Sequence, residues 1–95
     1  MDKELYQRKM QAHLDEWKAD VDKLRARVSR ASADTQLKMN EQIKELDSKI
    51  AEGKVKVSEL SGASEDAWES IREGVESAWD SLKSAVSEAT AKFKD

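Results

Sequence analysis

The side chains that could do chemistry in this chain are few. His13 is its single histidine, and Glu16 follows three residues on, so the two could in principle share a metal ion. One imidazole and one carboxylate are too few for most transition-metal sites without ligands from a second chain, so no metal residue is expected. A metal-handling role would rest on His13 alone. There is no cysteine, which removes disulfides and thiolate ligation and fits a reducing, cytoplasmic setting. Met10 and Met39 fall at core-type positions far apart, which suits apolar filling better than a thioether metal cluster. Asp15-Glu16 and Glu65-Asp66 read as solvated helix faces. No Gly-rich phosphate loop and no Ser/His/Asp arrangement occurs. The expectation is a non-enzyme with no catalytic residue, no cofactor and no small-molecule substrate.

Charge narrows the partners. The net charge is −3, but residues 1–31 carry +2, residues 32–62 carry −1 and residues 63–95 carry −4. The acidic last third argues against nucleic acid or anionic lipid as its ligand. The only basic cluster is KLRARVSR at 23–30, read as a solvated face near a helix C-terminus, where the macrodipole favours cations. The N-terminal MDKELYQRKM has no apolar run and does not read as a signal peptide, and no stretch approaches a membrane span.

Whatever function exists must be positioned by helices. Met10, Leu14, Trp17, Val21, Leu24, Val28 and Ala31 alternate in steps of four and three, a heptad pattern. Met39, Ile43, Leu46, Ile50, Gly53, Val57 and Leu60 repeat it. The last third is different. Residues 68–78, WESIREGVESA, are followed by 79–89, WDSLKSAVSEA, a tandem repeat of eleven residues. Eleven residues are about three helical turns, so Trp68, Ile71, Val75, Trp79, Leu82, Val86 and Phe93 form one stripe. Two breaks divide the segments. In the first, Ser32 or Asp34 can cap the next helix. In the second, Gly62 can take a left-handed conformation and Ser64 can cap. Helices are expected at about 2–30, 34–61 and 65–93, in a single domain over residues 1–95. The fold class is all-α: an antiparallel, up-down-up, coiled-coil-like three-helix bundle. It either closes on itself or is completed by a second chain, as a dimer or domain swap.

Hairpin arithmetic predicts the register. Turning the first hairpin at residues 33 and 34 sets Leu14 opposite Gly53 and Trp17 opposite Ile50. Turning the second at Gly62 and Ala63 adds Ile71 to the Gly53 layer, Val75 to the Trp17 layer and Trp68 to a layer with Met10 and Val57. Each tryptophan then lies in its own layer, and Gly53 makes room for a ring. Lys18 falls near Asp47, and Asp20 near Lys49.

The surface offers two candidate contacts: the small residues Ala67, Gly74, Ala78, Ala85 and Ala89, and the row Leu5, Ala12, Ala19 and Ala26 at seven-residue spacing. The stretches ELYQRKMQAHLDEWKADVDKL and EDAWESIREGVESAWDSLKSA resemble short bacterial coiled-coil-domain proteins of unassigned function. That resemblance implies a helical fold and a bacterial origin, with no site residues to carry over. Residues 67–93 also resemble, by period alone, the eleven-residue repeats of apolipoproteins, synucleins and late-embryogenesis-abundant stress proteins. The expected function is a structural or protein-interaction bundle that contacts a protein partner or itself through helix faces, without nucleic acid. The alternatives are reversible binding of a membrane surface by the third helix, which the acidic polar face disfavours, and a small stress-related or metal-handling role.

Overall fold

The computed structural model describes residues 3–93. Helix α1 spans Lys3–Val28, α2 spans Ala33–Leu60 and α3 spans Glu65–Lys92. They pack up-down-up as an all-α three-helix bundle of 50 × 17 × 17 Å. Its radius of gyration is 15.3 Å, against about 12 Å for a spherical domain of this length. The rod shape follows from three equal helices with short connections, which leave no element to cover the ends. No described helix is long and apolar enough to cross a membrane.

The helix ends follow local chemistry. Val28 ends α1 with Arg25 and Arg27 in its last turn, where the macrodipole favours them. Ser32 caps α2, its Oγ accepting from the Thr35 amide at 3.4 Å, while the Gln36 side chain donates to the Ala31 carbonyl at 3.1 Å. Ser64 caps α3 through the Ala67 amide at 3.3 Å, and Glu65 and Asp66 occupy the first turn. The expected left-handed Gly62 is not found: no described residue has positive φ. The chain leaves α2 by tightening instead. The amides of Ser61, Gly62 and Ala63 each bond the carbonyl three residues back, and Ser61 keeps helical angles of −68° and −25°. Three successive tight turns satisfy the last carbonyls without a left-handed cap.

The core is α2's heptad face set against two half-faces. All seven expected α2 positions, from Met39 to Leu60, are buried. Leu14, Val21 and Leu24 come from α1, and Trp68, Val75, Leu82, Val86 and Ala89 from α3. Met10, Trp17, Val28, Ile71, Trp79 and Phe93 pack against this core but are half-buried. A three-helix core is too narrow to enclose every large side chain at its edges.

The first hairpin has the expected register, with Leu14 against Gly53: a Cβ built on Gly53 would lie 3.0 Å from Leu14 Cδ2. Helix α3 is displaced. Gly53 faces Trp79 and Leu82 instead of Ile71, Trp68 meets Tyr6 instead of Met10, and Trp17 meets Trp79 instead of Val75. The slide is about one helical turn, roughly 6 Å. Its cause is the asymmetric connection. Tight turns carry the α2 exit through Ala63, so the chain reverses at Ser64 and not at Gly62. The expectation that each tryptophan lies in its own layer is therefore wrong for Trp17 and Trp79. Asp47 is held by Arg25 at 2.5 Å instead of Lys18, because Arg25 also reaches Asp22 and bridges the two helices. No Asp20–Lys49 ion pair forms among the described residues.

Candidate functional site

A cluster of aromatic and charged side chains lies along the α1–α3 seam. These two helices run parallel and approach each other least of the three pairs. Aromatic rings fill the wider gap. Tyr6 meets Trp68 edge-on with ring centroids 5.4 Å apart, and Trp17 meets Trp79 at 5.2 Å and 55°. Both pairs are offset by 62 residues, and Tyr6 precedes Trp17 by eleven, as Trp68 precedes Trp79. The repeat in α3 thus has a matching pair of rings on α1, about three turns apart.

A polar clamp closes the end of this seam. Lys3 Nζ lies 5.6 Å from the Trp68 ring and 3.9 Å from Glu65. Tyr6 Oη donates to Glu76 Oε1 at 3.4 Å. Arg72 donates to Glu76 at 2.7 Å and also to Glu69. Burial, reinforced by the negative charge of Glu76, raises the Tyr6 phenol above its ordinary range. The hydrogen bond with Glu69 is the main cause that raises the Arg72 guanidinium, and the same bond lowers Glu69. All three shifts move titration away from neutral pH. The cluster ties Tyr6 of α1 to the Glu69–Arg72–Glu76 charge ladder on α3. Arg72 Nε and Trp79 Nε1 have no hydrogen-bond partner among the described residues.

The residues singled out from sequence are scattered. His13 stacks on Trp17 at 6.0 Å, with Nδ1 3.8 Å from Glu16. No three His, Cys, Asp or Glu side chains come together as a metal site among the described residues. In the basic cluster, Arg25 is engaged by Asp22 and Asp47, and Arg27 donates to the Phe93 carbonyl at 3.4 Å. The small residues of α3 do not form one outward band. Ala89 is in the core, Gly74, Ala78 and Ala85 are half-buried, and only Ala67 is exposed. Ala78 lines a shallow groove of about 230 Å³ over Gly53, between α2 and α3. That is below the usual range for small-molecule sites, about 300–1,000 Å³. The row Leu5, Ala12, Ala19 and Ala26 is exposed throughout.

Sequence reasoning missed two features. Tyr6 and the Glu69–Arg72–Glu76 ladder were legible as an eleven-residue step before Trp17 and as charges spaced three and four apart. Leu37 and Val55 are 69% and 59% exposed, the largest such apolar exposures on α2. They are eighteen residues apart, five whole turns, and so lie on one line opposite the buried heptad face. No protein-family model, curated protein or solved structure matches the chain.

Proposed function

We propose that this chain is a cytoplasmic, non-enzymatic interaction bundle, of bacterial origin, that presents an outward helix face to a partner helix. The observation that carries this reading is the outer line of α2. Leu37 and Val55 stand about 27 Å apart on a straight helix, with exposed Ala51 between them. Large apolar side chains on that line gain nothing inside the monomer, and covering each contributes about 1.5–3 kcal/mol. A partner helix laid along α2 would cover both at once. The test is a photo-reactive residue placed in host cells at position 37 or 55, with exposed Lys83 on α3 as control. A discrete adduct at 37 and 55 but not at 83 supports the reading. No adduct at either α2 position overturns it.

Reversible binding of a lipid surface by α3 is a second reading. It is supported by the buried stripe Trp68, Val75, Leu82, Val86 and Ala89, and by the wide α1–α3 seam. The acidic polar face weighs against it. It requires a tryptophan emission shift with neutral or anionic vesicles, and unchanged emission with both removes it.

A further inference from the structure

We propose that Ser61–Ser64 is a hinge through which α3 is exchanged between two copies of this chain. The observation that carries this is the form of the connection. Ser61 is helical, the amides of Ser61, Gly62 and Ala63 bond carbonyls three residues back, and no described residue has positive φ. Ser64, with φ −68° and ψ 169°, is extended at the break. Returning Ser64 and its neighbour to helical angles joins α2 and α3 into one helix from residue 33 to 92, about 90 Å long. The connection is open to solvent at Ser61, Gly62 and Ser64. Nothing lies within 4 Å of a Cβ placed on Gly62, and Ser61, Ala63 and Leu60 border an open depression of about 440 Å³.

Both connections are hydrogen-bonded: after α2 the Ser61 hydroxyl donates to the Ser58 carbonyl at 2.9 Å and Ser64 caps α3. At the α1–α2 turn the bonds to carbonyls three back are 3.0 and 3.1 Å, against 3.3–3.4 Å after α2. It also carries the Gln36–Ala31 bond and a Ser32–Thr35 hydroxyl bond at 3.0 Å. Helix α3 is the element released, because its seam with α1 is where backbones approach least. Its stripe cannot stay in water, and the α1–α2 hairpin of a second copy offers every contact it left: Tyr6 for Trp68, Trp17 and Gly53 for Trp79. The second copy is thus the occupant that fits by identity.

Two substitutions separate the closed and exchanged forms. Gly62→Ala meets no atom and no strain in the closed chain, but places a better helix former inside the continuous helix. Gly62 is already in a tight turn in the closed chain and shares part of that gain, so the dimer should be favoured by up to about five-fold per hinge. Glu65→Pro sits at the first position of α3, where proline is well tolerated and Ser64 already has the extended angles a following proline requires. In a continuous helix the same proline clashes with the preceding turn. Light scattering with size exclusion, on full chains refolded over a concentration series, reads the dimer fraction, and solution scattering reads its length. The proposal expects a concentration-dependent dimer longer than the 50 Å bundle, enriched by Gly62→Ala and abolished by Glu65→Pro. A dimer fraction unmoved by Gly62→Ala, or a dimer that persists in Glu65→Pro, overturns the exchange. This proposal deepens self-association but stands apart from the α2 face: loss of adducts at 37 and 55 leaves the exchange standing, and an all-monomer result leaves the α2 face standing.

Discussion

Gly53→Val tests the packing of all three helices at one point. A Cβ at residue 53 would lie 3.0 Å from Leu14 Cδ2, 3.6 Å from Trp79 Cζ3 and 4.0 Å from Leu82 Cδ2. Carbon atoms prefer about 3.5–4.0 Å, so Leu14 must retreat by roughly half an ångström. Leu14 is fully buried, and its retreat displaces other core atoms. For Gly53→Ala, that crowding opposes a helix-propensity gain of about 1 kcal/mol, and the net change should stay within about 1 kcal/mol of zero. Valine adds two methyls fixed on Cβ, directed at Leu14 and Trp79. Overpacking of about 1–3 kcal/mol then exceeds the smaller propensity gain, for a net loss of about 1–2.5 kcal/mol. Urea unfolding followed by circular dichroism would show this as a midpoint lowered by about 0.3–2.5 M. A double-mutant cycle locates the contact. Gly53→Val with Leu14→Ala should be less harmful than the sum by at least about 1 kcal/mol, because the valine enters the space the leucine leaves. Gly53→Val with Ile71→Ala should be additive within about 0.5 kcal/mol. A stabilised Gly53→Val would refute the tight packing at residue 53, and coupling to Ile71 would refute the one-turn displacement of α3.

The Trp17–Trp79 contact predicts a coupling of about 0.5–1.5 kcal/mol in a cycle of Trp17→Leu and Trp79→Leu, while Trp17→Leu and Trp68→Leu should not couple; an uncoupled first pair removes the ring ladder. Tyr6 is the sole tyrosine, so phenolate absorbance isolates its titration, and the midpoint should lie above its ordinary 10.0. Because the folded value is the higher one, the stabilisation is complete below the unfolded value and is lost as pH rises through the folded one. Tyr6→Phe should flatten that alkaline decline in unfolding free energy, and a wild-type midpoint at or below 10.0 contradicts the clamp.

Much of the architecture was legible because helices announce themselves over short range. The α2 face from Met39 to Leu60 was readable in full, since period and burial coincide on the helix that both others cover. Ser32 and Ser64 were readable as caps because a hydroxyl before an apolar run satisfies orphan amides wherever the helix packs. Gly62 was misread for the converse reason. Its residue type permits the left-handed angle, but the α2 exit meets its hydrogen bonds by tight turns instead. The seam was less legible still. Tyr6 lies outside the heptad pattern, and its partners on α3, Trp68 and Glu76, depend on a register that only packing selects.

The eleven-residue repeat shows where the division falls. Sequence by itself determined that residues 68–89 write one stripe with a tryptophan every three turns, because backbone geometry converts spacing into direction. It also determined three helices, their caps and the buried heptad of α2. Only the tertiary structure decided what each ring faces. Sliding α3 by one turn keeps its stripe pointed at the core, so the pattern along a single helix cannot distinguish the two registers. Contacts across helices can: they set Tyr6 on Trp68 and Trp17 on Trp79 together, and turn the repeat into a ladder matched on α1.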